Sequence, residues 1–504
     1  MRFSLDRTES ECFTPIYENT LTAEESAELV IPDIREDVGK ILDIRGQVVL
    51  SSKKLMTDAA TVMASVCACV IYLSDNGEKI ECVSAEIPFE MDIAAVGIDE
   101  ESVIVSDLRL CDVEVKMLNS RKLLFRARVS AVLRCYAPDV FSICNGLPED
   151  VMGMNIHLLK KRAEHNLVAG LREKTFAMSD EYSLPNGIDP TARLLCTETG
   201  ICVDDVKMVG NKLVFKARAV TDAIFLKDGD CSLQLGTFES MFSQIIEVDR
   251  EGEELEPRVS IELMSADFTR LPENTDMDIA ATFRISATAV CVENVESDYI
   301  ADAYSNCRPL ELEGTSVELT TMLPPKKLHI QLEGSLPEAV MDAKLCYLSI
   351  SEASTLVNGG RIDINATARG VAETEDGGYI PVEAVLKGDD EIVLSDGQSM
   401  RVIEVFCGET EVGRSGSLSS EAVVCVEITG TYEIDTVCAV EYDEECSIND
   451  LRPSLTVLCS DSHGGDLWSL AKKYGSTVEA IERANTIEGE FSPLMRPLLV
   501  PKAK

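Results

Sequence analysis

Apolar and polar residues alternate with a period of two through most of the chain. In CDVEVKMLNSRKLLFRARVSAVLRCY, Val113, Val115 and Met117 occupy alternate positions. Beyond the turn NSRK, the apolar Phe125, Ala127 and Val129 alternate with Leu124, Arg126 and Arg128. Successive side chains of a strand point to opposite faces, so this pattern predicts two strands, each with one face turned to a core.

The same local design recurs. SVCACVIYLSDNGEKIECV, VFKARAVTDAIFLKDGDCSLQL and IDINATARGVAETEDGGYIPVEAV each place a glycine turn between two strand-like runs. The turns Asn76-Gly77, Asp228-Gly229 and Asp376-Gly377 supply the positive φ that a tight hairpin needs. They lie roughly 150 residues apart, too far for a solenoid and right for duplicated domains. Upstream strands starting at Ile41, Leu194 and Lys344 recur at the same spacing, and each unit carries a later half of paired strands.

Two segments break the pattern. LTAEESAELV has Thr22 three residues before Glu25, the capping-box spacing, and predicts a short N-terminal helix. NIHLLKKRAEHNLVAGLREKTF reads as a helix or as an extended connector with two strands, and the continuation FAMSDEYSLP favours strands.

The tail GDLWSLAKKYGSTVEAIERAN is helical. Leu467, Leu470, Ala471 and Tyr474 fall on one helix face, Gly475 is a C-cap, and Ser476 opens a second helix with Glu479 at capping-box spacing. Val478, Ile481 and Ala484 form the second apolar face, between the strand-like SLTVLC and RPLLVP. Trp468, the only tryptophan, is expected in this small core.

Composition narrows the function classes. The 504 residues carry a net charge of −42, which argues against nucleic-acid binding and anionic membranes as partners. The tail is neutral: six bases (Lys472, Lys473, Arg483, Arg496, Lys502, Lys504) balance six acids (Asp461, Asp466, Glu479, Glu482, Glu488, Glu490). Neither an export signal nor a membrane-length apolar run is visible, so a cytoplasmic protein without membrane insertion is expected. The 18 cysteines form no CxxC pair and are expected as reduced core residues. His157, His165, His329 and His463 form no HExxH, and GxSxG, Walker and GxGxxG motifs are missing. No catalytic residue, cofactor or metal is therefore expected, and the chain reads as a non-enzyme.

Two resemblances sharpen this. DLWSLAKKYGSTVEAIERANTI…PLMRPLLVP is similar to the LysM domain, a βααβ module that commonly binds N-acetylglucosamine polymers. The resemblance implies binding loops at about His463–Leu467 and Thr486–Leu494, with Gly464, Gly465, Asp466, Leu467, Thr486, Ile487 and Leu494 as contact residues for glycan or partner. Gly464-Gly465-Asp466 and Leu494-Met495-Arg496 depart from the usual loop sequences.

Upstream, IPDIREDVGKILDIRGQVVL, VIYLSDNGEKIECVSAEIPFEMDI, VEVKMLNSRKLLFRARV, EKTFAMSDEYSLPNG and DVKMVGNKLVFKARA resemble the SPOCS domain of SipL-like spore-coat morphogenesis proteins. The implied fold is mainly β: three β-sandwich-like SPOCS units and a C-terminal LysM module. The expected layout is an N-terminal segment 1–36 with the short helix, repeats at 37–140, 191–297 and 344–446, connectors at 141–190 and 298–343, and LysM at 455–504. The family implies a mother-cell scaffold that helps attach the basal coat layer to the forespore, with the coat's basement-layer ATPase as partner and LysM as docking element. The alternative is a peptidoglycan-binding protein of the cortex or wall.

Overall fold

The computed structural model describes residues 2–151, 154–227, 232–250, 255–272, 277–443, 446, 452–459, 466–487 and 497–502. It is mainly β, with 75% strand and 5% helix. After the short β1 (Arg2–Ser4) the strands run β2 (Asp6–Val30), β3 (Val38–Met56), β4 (Ala59–Ser74), β5 (Ile80–Ala94), β6 (Val103–Asn119) and β7 (Lys122–Gly146). Then follow β8 (Ile156–Tyr182), β9 (Arg193–Val209), β10 (Lys212–Leu226), β11 (Leu233–Glu247), β12 (Leu255–Arg270) and β13 (Ile279–Ser305). The next group is β14 (Leu310–Met322), β15 (Lys326–Ser335), β16 (Lys344–Asn358), β17 (Arg361–Glu373), β18 (Tyr379–Glu391), β19 (Gln398–Cys407), β20 (Glu411–Val412) and β21 (Ser417–Tyr442). The chain closes with β22 (Leu455–Leu458), α1 (Leu467–Tyr474), α2 (Val478–Asn485) and β23 (Leu498–Pro501).

One plan repeats along the body. A leading strand is followed by an antiparallel three-stranded meander and then by a second pair of strands. The meanders are β3-β4-β5, β9-β10-β11 and β16-β17-β18, and the later pairs are β6-β7, β12-β13 and β19-β21. The leading strand returns to the last strand of its own group: β2 on β7, β8 on β13, and β14 and β15 on β21. Residues expected as connectors are thus long ladder strands, because they fill an edge that the meander cannot reach. The segment Ile156–Tyr182 is extended, as the strand reading of its sequence expects, but it is one continuous strand rather than two. At the chain start, β1 crosses to the third group and pairs with β21.

The N-terminal helix expectation is overturned. Residues 21–30 belong to β2, which pairs with β7 from Asp6↔Gly146 to Val30↔Lys122. Leu21, Ala23, Ala27 and Leu29 pack on the first core, a period-two set that the capping-box reading ignored. Across the ladder Glu24 pairs with Arg126 and Glu28 with Lys122. A ten-residue stretch of good helix formers is too short to be a stable helix by itself, and it yields to a complete ladder plus burial of one face.

The first two meanders are separate three-stranded sheets, the third is joined through β18 and β15 to the sheet of β21, and each buries its alternate residues. On β7, Phe125, Ala127, Val129, Ala131 and Leu133 are all 0–1% exposed. They meet Val62, Val66 and Val70 of β4 in the first core. A further core joins the three meanders: Leu42 and Ile71, Leu195 and Ile224, and Tyr347 and Val371 share one cluster. Burial at about 25 cal/mol per Å² makes this shared apolar contact a strong glue between the groups.

Two of the glycine turns fall within the described residues; Asp228-Gly229 lies outside them. Gly77 donates to the Ser74 carbonyl and Gly377 to the Thr374 carbonyl, each at 2.9 Å. Only the glycine is left-handed, with φ of 73° and 80° respectively, so each is a type I turn closed by a left-handed glycine rather than a two-residue primed turn. A Cβ at Gly377 would touch nothing within 4 Å. Gly377→Ala is therefore expected to cost about 1 kcal/mol through backbone strain alone, read as a lower denaturant midpoint with an unchanged slope.

All seventeen described cysteines are free thiols. Among the described residues no helix is long and apolar enough to cross a membrane.

Candidate functional site

The tail builds its own small core from both helices and both strands. Leu470, Ala471, Ile481, Leu498 and Val500 are buried, with Leu467, Tyr474 and Val478 packed around them. Strands β22 and β23 pair antiparallel from Leu455↔Pro501 to Leu458↔Leu498. Asn485 ties α2 to β23: its amide donates to the Leu499 carbonyl and its Oδ1 accepts from Leu499 N at 2.8 Å. Gly475 caps α1 in the left-handed conformation, as its sequence position implies. The second helix starts one residue later than expected. Thr477 is its N-cap, accepting from Ala480 N, while Ser476 is buried and offers its carbonyl elsewhere.

Of the expected binding residues, Gly464, Gly465 and Leu494 lie outside the described residues. Asp466 is occupied as the N-cap of α1, accepting from Ser469 N at 2.9 Å. That hydrogen bonding holds its carboxyl below the usual value. Leu467 and Ile487 pack on the tail core. Thr486 is exposed and left-handed at φ 52°.

Trp468 takes a role that the sequence pattern does not show. It is half-buried, packs on the tail core as expected, and also lies edge-on to Tyr304 of β13 at 4.8 Å and 72°. Its indole N–H donates to Asp302 at 2.8 Å, and Lys472 reaches both oxygens of the same carboxylate at 2.6 and 2.8 Å. Tyr304 donates its hydroxyl to the Ser476 carbonyl at 2.9 Å. Burial pushes the Tyr304 phenol well above its usual value, so it stays a donor. The tail is thereby seated on the end of β13, inside the stretch expected as a connector. Nothing local links positions 166 apart, which is why period and composition missed it.

A second arrangement lies in the body, where the groups converge. A cavity of about 530 Å³ is walled by the first strands of the three meanders, β3, β9 and β16, and by β6, β12 and β19. Beside it Arg45 is 3% exposed and knits all three groups. It meets Asp43 at 2.9 Å, Ser349 Oγ at 2.9 Å, Glu198 at 3.6 Å and the Arg369 carbonyl. Tyr347 donates to Asp43 at 2.7 Å.

The cavity walls are rich in carboxyls. Glu262 Oε1 accepts from Leu108 N at 3.1 Å and Glu404 from Val203 N at 2.8 Å. Burial pushes Glu262 up to about 8, with Asp107 adding to the shift and Lys53 opposing it. Burial likewise lifts Glu198 to about 8 against the pull of Arg45, and Glu352 to about 7 against Arg369. Glu404 is raised by the same cause. Oε2 of Glu198 and Oε1 of Glu352 accept no hydrogen bond. In the sequence these acids are four among 88; only the fold gathers them.

No curated protein and no solved structure matches the chain. Residues 37–118, which span the first meander and reach into β6, match the family model described as SipL, SPOCS domain.

Proposed function

We propose that this chain is a non-enzymatic scaffold of endospore coat assembly. In this reading it helps attach the basal coat layer to the forespore from the mother-cell side, with the tail as docking element. The observation that carries the proposal is the SPOCS match over residues 37–118, which suggests a sporulation-related, SipL-like protein. The strand–helix–helix–strand order of the tail supports its reading as a LysM-like module. Its partner is then the coat's basement-layer ATPase, as the resemblance implies. A docking role is favoured over glycan binding because Asp466 is spent on capping α1 and Trp468 on the body.

The test uses purified full-length chain and a version lacking residues 455–504. The expected result is that the coat ATPase co-elutes with the full chain and not with the shortened one. Equal co-elution with both would remove the tail from docking. Retention of the full chain on N-acetylglucosamine polymer, with no ATPase co-elution, would replace this reading with the glycan one.

A further inference from the structure

Away from Arg45, the three groups meet a second time around one buried carboxylate. Arg134 of β7, Arg258 of β12 and Arg401 of β19 all approach Glu427 of β21, whose side chain is 3% exposed. Arg258 holds one oxygen of Glu427 and Arg401 the other, the latter through its Nε at 2.6 Å. Arg134 is left over. It comes no nearer to the carboxylate than 3.6 Å and makes no side-chain hydrogen bond among the described residues.

The buried charge is out of balance here. The other acids paired with these arginines are Glu18 on Arg401 and Glu256 on Arg258, the latter at 3.8 Å. Their side chains are 48% and 36% exposed, so water screens them. Asp107 is engaged by Arg109 through both oxygens. Burial pushes Arg258 down to about 10, with Arg401 and Arg134 adding to the fall and Glu256 opposing it.

Beside this cluster lies a void of about 30 Å³. Arg134 and Tyr136 line it and are 9% and 3% exposed. The Nε of Arg134 is sealed inside the protein, but its terminal nitrogens and the Tyr136 hydroxyl keep accessible surface and have no partner. Ser260 also lines the void, with its hydroxyl donated to the Ser106 carbonyl at 2.9 Å. Val105, Val168, Val290 and Val292 supply apolar wall. Unpartnered donors from a cation and a phenol call for an acceptor, and the excess of guanidinium calls for one that is negative. Water would meet the donors and leave the charge. A water needs about 10–15 Å³ of such space, so the void admits a monatomic ion and excludes phosphate or an organic acid.

We infer that the void where β7, β12 and β21 meet binds a single halide ion, chloride above all, held by the Arg134 guanidinium and the Tyr136 hydroxyl. The ion offsets the excess cation at the junction of the three groups and so fastens the body. The site is independent of the coat reading and of the tail.

The test replaces sodium gluconate by sodium chloride at constant ionic strength and follows melting of the full chain. The melting temperature is expected to rise with the logarithm of chloride concentration, because an ion bound only by the folded chain stabilises it by mass action. Tyr136→Phe keeps the ring and removes one donor, so the same rise should need about tenfold more chloride. Arg134→Met should abolish the rise. Arg126→Met, on the same strand but exposed and paired with Glu24, should leave it unchanged. Crystals grown in sodium bromide give a reading that needs no variant: an anomalous peak must lie between the Arg134 guanidinium and the Tyr136 hydroxyl. The inference is overturned if chloride and gluconate give one melting temperature, if Tyr136→Phe responds to chloride as the unmodified chain does, if Arg126→Met removes the rise as fully as Arg134→Met, or if the void holds only water in the bromide crystals.

Discussion

Lowering the pH from 8.5 to 5.5 is expected to raise the melting temperature by several degrees. The reason is the buried acid of the central cavity. Glu262 is 8% exposed and titrates near 8 in the folded chain, against its usual 4.5. A carboxyl raised on folding binds its proton more tightly in the folded state. Its contribution is fully present below pH 4.5 and is lost as pH rises through 8. One such group is worth on the order of 3 kcal/mol over this interval. Glu198 and Glu352, raised to about 8 and about 7, act with the same sign. The groups facing Glu262 are Asp107, Lys53 and the Leu108 amide, and a charged Asp107 resists ionisation of its neighbour.

The net charge of −42 also favours acid, because surface repulsion relaxes as carboxylates protonate. Glu262→Gln separates the two causes. It keeps the surface charge and removes one buried titration, so the melting temperature of the variant should vary less with pH. An identical pH slope in the variant and the unmodified chain would place the whole effect on the surface.

The second large effect concerns the tail. Asp302→Ala is expected to release it from the body without unfolding the body. The substitution removes the acceptor of the Trp468 indole and both bonds from Lys472. Loss of a charge-assisted contact of this kind costs about 1.5–3 kcal/mol. Trp468 is the only tryptophan, so its fluorescence reports this one contact. The emission should shift to the red, and amide exchange in α1 and α2 should become faster, while melting of the body changes little. Trp468→Ala should go further and destabilise the tail fold itself, since the ring also packs on its core. An unshifted emission in Asp302→Ala would mean that Tyr304, through its ring and its hydroxyl, is enough to hold the module.

The legible parts of this protein were the parts written locally. Period two in Leu124–Val129 forecast which face of β7 enters the core, since a strand repeats every two residues whatever it packs on. Gly77, Gly377 and Gly475 announced left-handed positions because few other residues tolerate them. The helix faces of the tail followed from 3.6-residue spacing alone. Reading the capping box at Thr22 as a helix failed for the opposite reason. A local signal of small energy met the open edge of β7, which offered a ladder from Asp6 to Val30.

The amino-acid order alone determined the strands and recurrence of the meanders and the helical tail, because each rests on contacts between near neighbours. Tertiary structure decided the rest. It turned the connectors into ladder strands, brought Arg45, Glu198 and Ser349 to one point, and seated Trp468 on Asp302. These are pairings between residues far apart in the chain, chosen by burial and charge compensation in three dimensions. In an acidic chain any carboxylate can stand for any other in the sequence, and only the desolvation that the fold imposes singles out Glu198, Glu262, Glu352 and Glu404.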